Sequence, residues 1–361
     1  MFDRPQISVF LPYYNDQDYL RASINSVLSQ TYPSFELILV NHASEDNSES
    51  IAHSFQDSRI QHIKMERNYF YGGAVLFREF LKQASGKYIK PFCADDVMIP
   101  DCLSILLVEM EQTPLLHAVF ANMNYIDKRS RLIKSSELRS ESPDRYHLLS
   151  DIFFEKSYPL AYPTALIRRA AIRDVFFDNV SMQIFDLKLF TNIALRGEIR
   201  VLQDIVVHYR IHDEQASMSA VGHPNQFKII SREAVERQFL SDIFANMTDL
   251  SVLQKVFQNE KEFAVLTEED KDMIPFLIYR LSLQIENPSR GLGSLTRLFD
   301  ILQQDHIRKK IERMYAFSIR DWRLASEKYR ISRNLETRVS PRFSFASCLK
   351  WVSFSSHTCI L

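Results

Sequence analysis

The sequence predicts an α/β fold in which a mostly parallel sheet is flanked by helices. Short apolar runs typical of buried strands alternate with helix-patterned segments through the first half of the chain. Alternation of this kind implies right-handed crossovers between parallel strands. The chain has 361 residues, 46% of them hydrophobic and 25% charged, which leaves room for one large domain and a smaller one.

The elements can be assigned in order along the chain. The first strand is the apolar run 7–11, and the first helix carries Leu20 and Ile24 at helical spacing, with Asp16 or Asp18 placed to cap it. Further strands are predicted at 35–40, 60–65, 88–92 and 118–125, and further helices at 44–55, 74–84 and 101–111.

The second half of the chain is less regular. Residues 126–160 are polar and irregular, so we expect a mobile connection there. Helix patterns follow at 230–244, 269–284 and 292–328. These changes predict a main domain at 1–220, a helical extension at 221–335 and a basic, aromatic tail at 336–361. In the tail, aromatic residues lie beside basic ones, a combination that favours peripheral contact with a membrane surface. The alternative is that the tail is a strand or loop that packs on the helices.

Composition narrows the function and the location. A net charge of -1 gives no pull toward nucleic acid, so no nucleic-acid partner is expected. The four cysteines show neither metal-ligand spacing nor a disulfide framework, which favours a reducing compartment. The chain starts without an apolar signal core, and no apolar run approaches the roughly 18 residues that cross a bilayer. We therefore expect a cytoplasmic protein, peripheral on the inner face of the membrane if the tail is an anchor.

Polar motifs follow three of the predicted strands. They are Pro12–Asn15, Asn41–Ser44 and the pair Asp95–Asp96. Ligands of open parallel sheets bind outside the carboxyl ends of the strands, so the three motifs should meet at one edge. Two adjacent carboxylates after a buried strand are costly unless paired, and a divalent cation bridging to a phosphate would explain them. The alternative is that Asp95 or Asp96 caps a helix.

The order and spacing of these motifs resemble the family 2 glycosyltransferases. The resemblance covers roughly residues 5 to 220. It is carried by four segments: Ile7–Asn15 with Tyr19-Leu20, Ser26–Pro33, Phe35–Ser48, and Gly86–Asp96. Members of this family have the GT-A fold and move a sugar from a nucleotide diphosphate to an acceptor, so the resemblance implies the same fold and activity here.

The resemblance also implies a nucleotide-sugar site. Pro12, Tyr14 and Asn15 would line it, with Tyr14 stacking on the base, and Arg78 would reach the phosphates. Asn41 occupies the position of an Asp that usually contacts the base, and an Asn can still pair with a base edge. The donor favoured by the resemblance is a UDP-sugar, and the acceptor is a glycan or a lipid-linked glycan.

A metal site follows from the Asp-x-Asp motif of the family. Its last Asp, the usual ligand of Mn²⁺ or Mg²⁺, corresponds to Asp95, and Asp96 matches a common following Asp. Cys93 replaces the first Asp. His212, in the segment Tyr209-Arg210-Ile211-His212, matches a frequent family ending in which the His lies near the metal or the diphosphate.

The catalytic base implied by the resemblance is Asp186. Its spacing from Arg196-Gly197-Glu198 matches the catalytic Asp of the family, although the preceding Glu is Phe185 here. A helix N-cap is the structural alternative for Asp186.

We therefore expect an inverting, metal-dependent glycosyltransferase of cell-surface polysaccharide synthesis. The alternative is a non-catalytic, nucleotide-sugar-binding subunit, which the changes at Cys93, Asn41 and Phe185 favour. A nucleotidylyltransferase is disfavoured, since that class needs a Gly- and Arg-rich loop where this chain has Pro12–Gln17.

Overall fold

A computed structural model describes most of the chain. The described residues are 5–69, 73–135, 144–156, 160–172, 182–213, 238–283, 285, 294, 297, 298 and 300–315. The chain divides into two compact units, Met1–Glu233 and Ala234–Leu361. The tail at 336–361, with its predicted membrane contact, lies outside the described residues.

In its described residues, the first unit holds a nine-stranded sheet and seven α-helices. Its strands are β1 (Ile7–Tyr13), β2 (Phe35–Asn41), β3 (Ile60–Lys64), β4 (Tyr88–Pro91), β5 (Val97–Met98), β6 (Leu116–Ile126), β7 (Leu132–Ser135), β8 (Leu166–Arg168) and β9 (Glu198–Arg210). Its helices are α1 (Leu20–Leu28), α2 (Ser48–His53), α3 (Gly73–Gln83), α4 (Cys102–Gln112), α5 (Arg145–Phe153), α6 (Arg169–Ile172) and α7 (Met182–Arg196).

The sheet has the order β3-β2-β1-β4-β8-β6-β9-β5, with β7 paired to β6. The four strands β3, β2, β1 and β4 are parallel, as is the long pair β6–β9. The remaining pairs, which involve β5, β7 and β8, are antiparallel. The register pairs Tyr13 with Asn41, so β1 and β2 end level with each other. This register brings the two loops that follow them together.

Helices cover both faces of the sheet because side chains alternate along each strand. Val9 and Leu11 belong to a buried cluster that includes residues of α1 and α4. Phe10, between them, packs on the other face against Phe77 and Phe80 of α3, with ring centroids 5.3 and 4.7 Å away. This arrangement produces the layered α/β fold that the alternation of elements predicts.

The loop before β4 requires a glycine. A Cβ atom on Gly86 would lie 2.6 Å from the backbone nitrogen of Ser8 on β1. The close approach also buries Glu36, whose Oε1 accepts hydrogen bonds from Ser8 Oγ (2.6 Å) and from the backbone nitrogen of Ser85 (2.7 Å). These contacts supply the partners that a buried carboxylate needs.

The structure corrects the expectation for residues 126–160. Strand β7 and helix α5 both lie in this segment, so the expected irregular connection is wrong for its described parts. Asp144 begins α5 by accepting hydrogen bonds from the backbone nitrogens of Tyr146 and His147. The helix then buries Leu148, Leu149, Ile152 and Phe153, a helical spacing that the surrounding polar residues obscure.

The second unit is helical in its described residues. Its α-helices are α8 (Gln238–Ala245), α9 (Leu250–Val256), α10 (Lys261–Ala264), α11 (Ile274–Ser282) and α12 (Asp305–Tyr315). Helix α11 buries nearly its whole surface, since seven of its nine residues are buried. Within the residues that the structure describes, none of the helices combines the length and the apolar character that crossing a bilayer requires.

Candidate functional site

The loops after β1 and β2 are joined by hydrogen bonds. The backbone nitrogen of Asn15 donates to Ser44 Oγ (3.2 Å), and Asn15 Oδ1 accepts from the backbone nitrogen of Glu45 (2.8 Å). Asn15 and Ala43 both have positive φ, at 54° and 60°, a conformation that Asn tolerates better than most residues. The side chain of Asn15 therefore holds the two loops together.

Aromatic and polar groups meet where these loops join. The Tyr14 ring is 41% exposed, and its centroid lies 6.0 Å from that of His42. His42 Nε2 accepts a hydrogen bond from the backbone nitrogen of Tyr69 (2.7 Å), and burial lowers the pKa of His42, so the neutral ring carries its proton on Nδ1. Asn41 Oδ1 accepts from the backbone nitrogen of Ser44 (2.8 Å). Pro12 is half-buried within β1.

The loop after β4 reaches the same edge. In this loop, the carbonyl oxygen of Cys93 accepts a hydrogen bond from Ser23 Oγ (3.0 Å). Asp96 is fully buried, and its Oδ1 accepts from the backbone nitrogen of Arg210 (2.8 Å). Strand β5 follows directly and Asp101 precedes α4, so neither Asp95 nor Asp96 caps a helix. The helix-cap interpretation of the carboxylate pair is therefore wrong.

Asp95 lies against His212. Asp95 Oδ2 is 3.1 Å from His212 Nε2, and the His212 ring packs on Tyr19 at a centroid distance of 4.7 Å. The pair forms a hydrogen bond at this distance. Adjacent ligands of an octahedral ion with bonds of about 2.1 Å also lie about 3 Å apart, so the same separation is compatible with both atoms binding one small cation. Possible further ligand atoms of Cys93, Asp95 and Asp96 all lie within 4.8 Å of one another.

The environment of Asp96 also favours a cation at this loop. Its Oδ2 atom is buried and has no hydrogen-bond partner within the described part of the chain. Burial, and then the charge of Asp95, raise the pKa of Asp96 well above its usual range, an effect that the backbone hydrogen bond from Arg210 opposes. A nearby cation would relieve this cost. The carboxylate oxygens present fit Mn²⁺ or Mg²⁺.

Arg210 holds this loop in place. Its guanidinium is buried and donates from Nε to the carbonyl oxygen of Asp95 (2.8 Å). From Nη1 it donates to the carbonyl oxygen of Asp127 and to Ser130 Oγ, both at 3.0 Å. The group also lies over the Tyr19 ring, 4.8 Å from its centroid. No role for Arg210 was predicted from the sequence, although the residue belongs to a family motif.

Asp186 lies in α7, on the side of the sheet that carries α3. It is the fifth residue of a helix that begins at Met182, so it is not the N-cap. The preceding Phe185 is buried against Phe77, with ring centroids 5.3 Å apart. Burial, and then the proximity of Cys93 and Asp186, raise the pKa of Tyr162 well above its usual range. The Tyr162 hydroxyl therefore lies near both of these residues.

The turn that carries Tyr162 is fixed to the sheet. Lys90, in β4, is fully buried, and its Nζ donates to the carbonyl oxygens of Pro163 and Pro91. Burial lowers the pKa of Lys90. Arg78, by contrast, is exposed on α3.

Asp16 is a titratable group of the site for which the sequence pattern predicts only a capping role. Its Oδ2 accepts a hydrogen bond from the backbone nitrogen of Tyr14 (2.8 Å). Burial, together with the charges of Asp95 and Asp46, raises the pKa of Asp16 to about 7. The folded state therefore binds a proton that the unfolded state releases near pH 4, and the stability of the chain falls as the pH rises between these values.

We expect Asp16→Asn to remove this pH dependence. In chelator, the variant should be more stable than wild type at pH 8, by up to about 4 kcal/mol, and the difference should vanish near pH 4. The amide oxygen of Asn can still accept from Tyr14. Denaturant unfolding at several pH values measures the effect, with the exposed Asp18→Asn as control. Stability differences that stay constant with pH would contradict the assignment.

Comparisons with known proteins identify similar proteins. The sequence model of Glycosyl transferase family 2 matches residues 8–176. An uncharacterized glycosyltransferase of Nostoc sp. is 28% identical over 251 residues, which is 67% of this chain and 76% of that protein. The UDP-Glc:alpha-D-GlcNAc-diphosphoundecaprenol beta-1,3-glucosyltransferase WfaP of Escherichia coli is 28% identical over 229 residues, covering 63% of this chain and 84% of WfaP.

A solved structure shares the fold. The crystal structure of S. aureus TarS 1-349 in complex with UDP-GlcNAc aligns with a TM-score of 0.54 and 20% sequence identity. The alignment covers 82% of this chain and 89% of TarS 1-349. The predicted fold class is thereby confirmed.

Proposed function

Because this chain belongs to glycosyltransferase family 2, we propose that it transfers a sugar, with inversion, from a nucleoside-diphosphate donor to a hydroxyl of a glycan or lipid-linked glycan. The resemblance carried by the sequence motifs is confirmed at the level of the family. The observation that supports the reaction best is the Asp95–His212 pair. Its two ligand atoms lie 3.1 Å apart, close enough for one cation to bind both.

The donor would lie across the edge where the loops meet. The exposed Tyr14 ring would stack on the base, and Asn41 with the Nδ1–H group of His42 would face its polar edge. A Mn²⁺ or Mg²⁺ ion held by Asp95 and His212 would neutralise the diphosphate as its bond to the sugar breaks. Arg210 would fix the Asp95 backbone, so that the carboxylate stays oriented.

Asp186 would act on the acceptor. The oxygen of the acceptor hydroxyl would attack the anomeric carbon of the sugar, and the proton of that hydroxyl would pass to the Asp186 carboxylate. The nucleoside diphosphate would leave from the opposite face of the sugar. An ordinary aspartate is a weak base toward an alcohol, so the transfer occurs as the hydroxyl becomes acidic in the transition state. A new bond between the anomeric carbon and the acceptor oxygen replaces the broken bond between that carbon and the diphosphate oxygen.

The names of the relatives guide the choice of substrates. WfaP uses UDP-Glc and a sugar on diphosphoundecaprenol, and TarS 1-349 was crystallised with UDP-GlcNAc. We therefore propose a UDP-sugar as donor and a lipid-linked glycan of cell-surface polysaccharide synthesis as acceptor. A protein acting on such an acceptor would work at the cytoplasmic face of a membrane.

A donor panel tests the proposed function. Purified protein should hydrolyse or transfer at least one of a set of UDP-, GDP- and dTDP-sugars with Mn²⁺, and turnover should stop in EDTA. Binding of a nucleotide sugar without turnover against a broad acceptor panel would instead favour the non-catalytic subunit. Absence of both binding and turnover would overturn the proposal.

A further inference from the structure

A basic hairpin projects from the sheet of the first unit. We use this name for residues 127–135, the turn after β6 together with β7. Every residue from 128 to 135 is exposed. Two of them are large aliphatic residues, Leu132 at 63% and Ile133 at 52% exposure. Four are cations, against the single carboxylate of Asp127: Lys128, Arg129, Arg131 and Lys134.

The turn of the basic hairpin is ordered by hydrogen bonds to Asp127, and its backbone holds the two aliphatic residues exposed. Asp127 Oδ1 accepts hydrogen bonds from the backbone nitrogens of Arg129 (2.8 Å) and Arg131 (2.9 Å), and its Oδ2 forms an ion pair with the Arg131 guanidinium (2.7 Å). Ile126 pairs with Leu132 and Tyr125 with Lys134, so Ile133 is the extra residue of a β-bulge. The backbone therefore fixes both aliphatic side chains at the surface.

The charge of the hairpin selects its partner. The whole chain has a net charge of -1, yet four cations and one carboxylate lie within nine consecutive residues. Adjacent exposed aliphatic residues surrounded by cations match a surface with negative head groups over an apolar layer. We propose that the basic hairpin docks on an anionic lipid surface, with Leu132 and Ile133 entering the layer and the cations contacting the head groups.

Hydrogen bonds of Arg210 connect the hairpin to the candidate active site. Arg210 donates to the carbonyl oxygen of Asp127 and to Ser130 Oγ in the turn, and to the carbonyl oxygen of Asp95 in the site. Docking of the hairpin therefore orients the Asp95 loop relative to the lipid surface. This surface contact is a separate property from sugar transfer, and it would place the site beside a lipid-linked acceptor.

Vesicle sedimentation of the full chain tests the proposal. Wild-type protein should bind vesicles that contain phosphatidylglycerol, and it should bind vesicles of pure phosphatidylcholine weakly or not at all. The bound protein should dissociate as the salt concentration rises. The double variant Lys128→Glu/Arg129→Glu should bind at least about tenfold more weakly, since each cation near an anionic surface strengthens binding about fivefold. The double variant Leu132→Asp/Ile133→Asp should also bind at least about tenfold more weakly.

Matched controls show whether binding depends on the hairpin itself. Val108→Asp/Leu115→Asp replaces two other exposed aliphatic residues of the same unit and should bind like wild type. The hairpin variants should retain donor hydrolysis in solution, which shows that they are folded. A chain shortened by residues 338–361 should keep the hairpin-dependent part of the binding.

Any of three results would overturn the proposal. Wild-type protein could fail to bind the anionic vesicles, either hairpin variant could bind them as well as wild type, or binding could depend only on residues 338–361. A change of oligomeric state in Leu132→Asp/Ile133→Asp without vesicles would show instead that the hairpin is an interface between copies of this chain. Vesicle binding in the absence of any donor turnover would support the hairpin and contradict only the proposed function.

Discussion

Asp95→Ala is expected to abolish sugar transfer and the Mn²⁺-dependent binding of a nucleoside diphosphate. The substitution removes the carboxylate that lies 3.1 Å from His212 Nε2 at the centre of the proposed cation site. Without the cation, the diphosphate would lose its main counter-charge both when bound and as it leaves. Calorimetric titration of UDP in the presence of Mn²⁺ measures the binding, and donor consumption measures the turnover.

Two variants control this experiment. Asp96→Asn should have a milder effect, since the Asn oxygen can still accept from the backbone of Arg210. Asp18→Ala removes an exposed carboxylate outside the cluster and should leave both readouts unchanged. An Asp95→Ala protein that keeps its Mn²⁺-dependent affinity would remove Asp95 from the site.

Asp186→Asn is expected to lower the transfer rate by about 10² to 10⁴-fold, the usual contribution of general-base catalysis. The substitution keeps the shape of the side chain and removes the proton acceptor. Donor affinity should barely change, because Asp186 would face the acceptor and not the diphosphate. Steady-state kinetics and calorimetry separate the two effects, with the exposed Asp204→Asn as control.

The outcome for Asp186 also distinguishes between roles. Loss of donor binding together with rate would indicate that Asp186 supports the structure of α7 and of the turn that carries Tyr162. Wild-type activity would point to another base, with Asp213 and Glu214 as the next candidates. Either result would leave the Asp95 site as proposed.

The sequence was most informative where local patterns decide the structure. Apolar runs and helical spacing predicted all the helices between residues 7 and 125 and all the strands there except β5. The rule that the carboxyl ends of parallel strands share one edge then placed the loops at Tyr14, Asn41 and Asp95 together. Strands β5, β7, β8 and β9 were not predicted. For β5 and β8 the reason is their length, because two or three residues carry no readable period. Helix α5 was missed because its apolar residues are surrounded by a polar segment.

The roles of the long-range contacts could not be predicted. Arg210 binds Asp96 across 114 residues of sequence and Asp127 across 83. Nothing in the local sequence around Arg210 indicates that it would be buried between two loops. The pKa of Asp16 likewise depends on its burial and on Asp95, which only the folded chain brings near.

The central claim is that Asp95 and His212 hold the cation that binds the donor diphosphate. Pulsed electron paramagnetic resonance of Mn²⁺ bound with the nucleoside diphosphate tests it most directly. The proposed site predicts a nitrogen coupling to the manganese in the wild-type protein that disappears in His212→Gln. A tightly bound Mn²⁺–nucleotide complex without that coupling, or one in which the coupling persists in His212→Gln, would contradict the claim.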